Sequence, residues 1–211
     1  MPRLARVTTL AELASLVSDA SPRLEGVAVR TPLQRSARLS EATGAEVWLK
    51  REDLQPVRSY KLRGAYNLIS QLTEAERSAG VICASAGNHG QGVAWSCAAL
   101  GIHGKIYVPS TTPRQKRDRM VTLGQGWVEL VVIGDTYDES SAAAKKIAAT
   151  TGATLVPAFD DPRTAAGQGT VAAEILEQLG KSPDVLLAPV GGGGMLAGCA
   201  AVFHEQSPAT R

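Results

Sequence analysis

The chain has 211 residues, 44% of them apolar and 20% charged, enough to close one or two hydrophobic cores. Its net charge of +2 comes from Lys and Arg spread along the sequence, which argues against the clustered basic surface that nucleic acid or an anionic membrane requires. Cys83, Cys97 and Cys199 form neither a CxxC pair nor a Cys/His cluster, so no disulfide framework and no metal site are expected, and a reducing cytoplasm is the natural compartment.

In chain order, the first stretch, MPRLARVTTLAELASLVSDA, carries basic residues but is interrupted by Glu12 and Asp19 and has no continuous apolar core, unlike a signal peptide. No window approaches the roughly 20 apolar residues of a membrane-spanning helix. Short apolar runs bounded by Gly, Pro or polar residues predict buried strands over 45–50, 80–85, 104–109, 130–134, 154–158 and 184–190. Between them, residues 59–78, 88–101, 112–124, 136–152, 164–180 and 194–206 place apolar side chains near helical spacing, and several of these stretches end in Gly. The basic run PRQKRDRM (113–120) contains Asp118 and falls on one of these helices, so it reads as a solvated face. Regular alternation of strand and helix implies crossover connections, an α/β class and a mostly parallel sheet.

Sheets of that kind bind ligands where strand ends lead into helix starts, and three stretches stand at such places. In RSYKLRGAY (58–66), Lys61 lies between Arg58 and Arg63 at a helix start. In CASAGNHGQGVAW (83–95), an apolar strand runs into Ser85, Ala86, Gly87, Asn88, His89 and Gly90. Small residues there let backbone approach a ligand, and free N–H groups with the helix dipole make an anion site. In LLAPVGGGGMLAG (186–198), Gly191, Gly192, Gly193 and Gly194 cost chain entropy, about 0.5–1 kcal/mol each relative to Ala in regular structure. That cost points to a close ligand, such as a phosphate wrapped by N–H groups. Gly192, Gly194 and Ala197 also fit a loose dinucleotide fingerprint, but no acidic residue follows at about twenty positions. A nicotinamide-binding oxidoreductase therefore stays as an alternative. A Walker motif is rejected, because the glycine it requires upstream of Gly180, Lys181 and Ser182 is Ile175. A phosphate cradle, an anion-binding turn and a lysine at a helix start are together what a pyridoxal 5'-phosphate enzyme needs.

KREDLQPVRSYKLRGAYN (50–67), ASAGNHGQGVA (84–94), AGQGTVAAEIL (166–176) and VGGGGMLAG (190–198) resemble the fold-type II pyridoxal-phosphate enzymes, and most closely the biosynthetic threonine dehydratases. The resemblance runs from about residue 30 to the last residues. It implies a tryptophan-synthase-beta-like α/β fold, in which 1–62 and 156–211 form a large parallel-sheet domain, incomplete at its C-terminus, and 63–155 a smaller inserted domain. It implies that Lys61 is the Schiff-base lysine, that Asn88 contacts the cofactor ring's 3'-oxygen, and that Gly191, Gly192, Gly193 and Gly194 hold the phosphate. Ser85, Gly87, Asn88 and His89 then form the loop for the substrate carboxylate. Cationic neighbours of Lys61, Arg58 and Arg63 among them, are expected to keep its amine unprotonated together with burial. The implied activity is conversion of threonine, and of serine, to a 2-oxo acid and ammonia by a homo-oligomer. Serine-racemase-like relatives carry a serine where this chain has Ala86, a departure that favours elimination over racemisation. The family's catalytic region continues past the point matching Arg211, where the residue that hydrogen-bonds the pyridine nitrogen lies, so a fragment that keeps the fold without turnover is a further alternative. Tyr60 and Tyr66 are expected to pack in the core, Asp53 to tether a loop, and His103 and His204 receive no role; Gln168 is noted beside the cleft without one.

Overall fold

The computed structural model describes residues 9–211; the first eight residues of the N-terminal stretch, and of the domain that begins with it, lie outside them. The first helix, α1 (Leu10–Leu24), is opened by a capping box in which Thr9 and Glu12 exchange hydrogen bonds, and it buries Leu13, Ala14, Val17, Ala20 and Leu24 on one stripe. Strands β1 (Leu33–Arg35) and β2 (Trp48–Lys50) flank α2 (Ala37–Thr43) and pair antiparallel. The strand predicted over 45–50 is therefore shorter than expected and belongs to a separate two-stranded ribbon. The helix predicted over 59–78 is two, α3 (Lys61–Ile69) and α4 (Glu74–Ala79). Thr73 and Glu76 form a second capping box, and so start a new helix where apolar spacing alone suggested continuity.

The alternation read from the sequence then appears as far as α8: β3 (Val81–Ala84), α5 (Asn88–Leu100), β4 (Gly104–Val108), α6 (Arg114–Gly124), β5 (Val128–Val132), α7 (Tyr137–Thr151), β6 (Thr154–Leu155) and α8 (Pro162–Leu179), with α9 (Gly194–Gln206) following. The four strands form one parallel sheet in the order β5-β4-β3-β6. The chain steps outward from β3 to β5 and returns on the other side of β3, so the order reverses between β3 and β6. At such a switch point the loops leaving neighbouring strands diverge and open a crevice at the carboxyl ends.

One core lies between this sheet and α3, α5 and α6, around Leu68, Val93, Ile106 and Met120. A smaller one lies beneath α7, around Ile82, Tyr107 and Ala144. A third joins α1, α8 and α9 through Val17, Ala172, Val202 and Phe203. Each fully buried Leu or Val in them stabilises the fold by about 1.5–3 kcal/mol. Interior glycines let helices touch backbone to backbone: a Cβ on Gly167 would meet the Arg63 carbonyl, and one on Gly198 the Ala165 carbonyl. The strand predicted over 184–190 is not formed. Leu186 packs on the third core while Leu187 on the other face is 90% exposed, and backbone bonds with Arg211 at both Asp184 and Leu186 hold the segment. Apolar residues on both faces suit a strand buried between two layers, and among the described residues no strand runs alongside this one. Among the described residues, no helix is long and apolar enough to cross a membrane.

Candidate active site

Four residues, 156–159, carry the chain on from β6 at the switch point. Val156 continues the β6 ladder by donating to the Ile82 carbonyl at 2.8 Å; Pro157, lacking an N–H, ends it; and Ala158 and Phe159 lead out across the switch point. All three stretches singled out in the sequence touch this segment. The His89 ring nitrogen Nε2 lies 2.8 Å from the Val156 carbonyl, Lys61 Nζ donates to the Ala158 carbonyl at 2.8 Å, and Gly192 and Gly194 pack against Phe159.

Lys61 is the first residue of α3 and is half-buried. Its Nζ stands 5.3 Å from the centre of the Tyr60 ring, and among the described residues no carboxylate pairs with it. Burial alone pushes its amine below the ordinary lysine value. The expected contribution of the flanking arginines is not found. The Arg63 guanidinium turns to the opposite side of α3, where it is bonded to Glu52 at 2.9 and 2.8 Å, to Glu174 at 2.6 and 3.0 Å and to Thr170 at 3.1 Å. Burial opposes its charge, yet the hydrogen bonds to Glu52 and Glu174 hold its pKa above the ordinary value. Glu174 also pairs with Lys50, whose Nζ reaches the Thr31 carbonyl at 2.6 Å. Arg58 is exposed, with its backbone in the left-handed region at φ +60°, a strained setting one residue before Ser59, whose buried hydroxyl has no partner.

The loop after β3 meets α5 at Gly87, with no side-chain cap, so the first-turn N–H groups of α5 have no capping side chain. Ser85 is half-buried, its hydroxyl accepting from Gly87 N at 3.3 Å, and Asn88 is exposed. His89 is 3% exposed, and burial pushes its pKa down to about 4. The ring is neutral, with Nε2 carrying the proton given to Val156 and Nδ1 left without a partner. A Cβ on Gly92, one turn into α5, would lie 3.0 Å from the Lys61 carbonyl; this glycine brings the loop helix against the lysine helix.

The glycines of the fourth motif divide into two pairs. A Cβ on Gly192 would overlap the Phe159 ring, and one on Gly194 would lie 2.9 Å from the Phe159 backbone. At Gly191 and Gly193 a Cβ would meet nothing within 4 Å; Gly193, at φ +83°, begins α9 without a side-chain cap. A cavity of about 450 Å³ lined by His103, Lys105 and Trp127 lies at the other, amino-terminal edge of the sheet and shares no residue with this site.

The remaining readings sort as follows. Gln168 is fully buried and accepts from Gly64 N at 3.2 Å, pinning α3 to α8. Asp53 accepts two bonds from Arg51 within its own loop, as a tether does. Tyr66 is partly buried against Trp95. The sequence reading missed the 156–158 carbonyls and the Lys50–Glu52–Arg63–Glu174 cluster. Backbone acceptors leave no mark in a sequence; the helix-interior glycines Gly64, Gly92 and Gly167, costly in a helix without a close neighbour, were the available signal for the packing around Lys61.

Residues 24–211 match the family model of the pyridoxal-phosphate dependent enzymes. The biosynthetic L-threonine dehydratase IlvA of Mycobacterium bovis is 56% identical over 194 residues, covering 92% of this chain and 45% of that protein. The corresponding protein of Bacillus subtilis is 48% identical over 195 residues, covering 92% and 46%. Among solved structures, the processed form of threonine deaminase isoform 2 from Solanum lycopersicum superposes with a TM-score of 0.89 at 42% identity, covering 95% of this chain and 54% of that one. Maize serine racemase gives 0.88 at 29% identity, covering 94% and 59%. The chain thus spans about half the length of the curated relatives it matches. Its fold is the fold-type II α/β fold of these neighbours, and the chain belongs to the pyridoxal-phosphate dependent enzyme family.

Proposed function

We propose that this chain carries the lysine, the carboxylate loop and the phosphate loop of an enzyme that converts L-threonine to 2-oxobutanoate and ammonia, the first step of isoleucine biosynthesis, and L-serine to pyruvate and ammonia. The observation that carries this reading is the convergence of Lys61, the α5 turn and the glycine loop on residues 156–159. The names of the relatives supply the substrate.

The residues present fit pyridoxal 5'-phosphate. A half-buried amine with no carboxylate partner suits imine formation, and two unobstructed glycines before an uncapped helix suit a phosphate. Bound there, the cofactor supplies an aldehyde for the imine and a ring that accepts electrons from the substrate α-carbon. Gly191, Gly192, Gly193 and Gly194 would hold the phosphate, and Asn88 would hydrogen-bond the ring 3'-oxygen. The N–H groups around Ser85, Gly87, Asn88 and His89 orient the substrate carboxylate. Displaced from the cofactor by the substrate amine, Lys61 Nζ, whose charged form burial disfavours, would take the α-proton. Loss of water across Cα–Cβ and hydrolysis of the released enamine give the oxo acid and ammonia, with no net change in water.

We place the boundary between the two domains near residues 63 and 156, with Lys61 and the glycine loop facing each other across a crevice that closes on substrate. The separation of the third core from the other two supports that layout. The full catalytic assembly is read as a cytoplasmic homo-oligomer; the three buried thiols, free of disulfides, suit a reducing compartment. Cofactor binding is tested by absorbance: the purified chain supplied with pyridoxal 5'-phosphate shows a visible band that borohydride bleaches, and Lys61→Ala lacks it. A band that persists in Lys61→Ala removes the lysine assignment. A coloured protein without threonine turnover assigns this chain to cofactor binding alone, as the shared half of a longer catalytic unit.

A further inference from the structure

We propose that Phe159 is a positioning residue that sets the glycine loop relative to Lys61, and that two of the four glycines exist to receive it. The inference rests on the reading of that loop as the phosphate holder. Phe159 is 44% exposed, and among the described residues it joins none of the three cores. Its ring lies where a Cβ of residue 192 would be, and its backbone lies 2.9 Å from where a Cβ of residue 194 would be. An aromatic ring packed on glycine backbone fixes the path of the loop without filling a core. The neighbouring carbonyl, Ala158, holds the Lys61 amine, so two consecutive residues set the span between amine and loop. The open positions, Gly191 and Gly193, are then the ones left for ligand. A ligand bonded at one end to an amine and held at the other by backbone N–H groups gains most when that span is fixed before it arrives.

Pyridoxal has the aldehyde but no phosphate, so comparing it with pyridoxal 5'-phosphate isolates the loop. Titrations of this chain, followed by absorbance and intrinsic fluorescence with thermal melting as the fold control, give both affinities for wild type, Phe159→Ala, Phe159→Tyr, Gly192→Ala and the Phe159→Ala/Gly192→Ala double variant. Wild type is expected to prefer the phosphorylated ligand. Phe159→Ala loses about tenfold on that ligand and little on pyridoxal, the size of one coupled contact. Phe159→Tyr, which keeps the flat ring, retains the preference. Gly192→Ala alone loses it, and the double variant is no weaker than Phe159→Ala, because the added methyl enters the space the ring has left. Equal losses on both ligands, no loss, or additive effects in the double variant overturn the proposal. If Phe159→Ala does not fold, Phe159→Tyr and Gly192→Ala decide it: a lost preference in the first or a kept preference in the second overturns it. A wild type that binds both ligands alike overturns instead the phosphate reading of the loop, and this inference with it.

Discussion

Lys61 and Arg63 stand two residues apart on one helix, the first half-buried and the second fully buried, and their surroundings are opposites. Arg63 is fully enclosed by Glu52, Glu174 and Thr170, with a second cation, Lys50, completing the cluster. Lys61 has one backbone carbonyl and the face of the Tyr60 ring. A buried charge that is fully paired ties elements together, here β2, α3 and α8, and is costly to break. A buried amine that is under-paired is costly to keep charged and is free to react. The same helix turn thus carries an anchor on one side and a reagent on the other.

The contrast is broken most directly by giving both positions the same uncharged side chain. Arg63→Met leaves Glu52 without its cation and Glu174 with Lys50 alone and is expected to cost about 3–5 kcal/mol in urea unfolding, whereas Lys61→Met removes a desolvated amine that has no carboxylate partner and stays within about 1 kcal/mol of wild type or gains stability. Equal losses in the two variants would erase the distinction.

His89 sharpens it by pH. Its pKa is about 4 in the folded chain against an ordinary 6.5, so between these values the unfolded chain binds a proton that the native state refuses. Its contribution leaves stability flat above pH 6.5 and reduces it as pH falls toward 4, by about 1.4 kcal/mol per unit and roughly 3 kcal/mol in all. His89→Gln, which keeps a donor near Nε2 and cannot titrate, should flatten that stretch of the melting-temperature profile; an unchanged profile would assign the acid sensitivity to other groups.

Packed and open glycines give the next effect. Gly198→Ala drives a methyl into the Ala165 carbonyl and should cost about 1–3 kcal/mol, while Gly191→Ala, with nothing within 4 Å, should leave unfolding unchanged. A stability loss at Gly191 would show that its space is not open. The smallest effect belongs to the surface: Arg30 pairs with Glu177 at 3.0 Å, but both side chains are more than half exposed, and Arg30→Ala should change stability by no more than about 0.5 kcal/mol.

The alternating strands and helices from Val81 to Leu179 were legible because each carries its own periodicity and most helices end in glycine. What escaped was decided between elements. The break at Thr73 is set by a reciprocal cap, the β1–β2 ribbon by pairing of two three-residue strands, and the absence of a strand over 184–190 by the lack of a neighbour to pair with. Of the proposed site, Lys61, Asn88 and the glycines could be singled out in advance, from residue type and place in the chain. The roles of Arg63 and of the His89 ring could not, because the direction a side chain takes from a helix depends on what packs around it.

The segment after β6 holds its two partners with main-chain oxygens, at Val156 and Ala158. Every one of the twenty amino acids carries that atom, so exchanging the side chain at either position leaves the acceptor itself in place. Only replacing the amide link with an ester, which weakens the carbonyl as an acceptor, would reach the attachment itself.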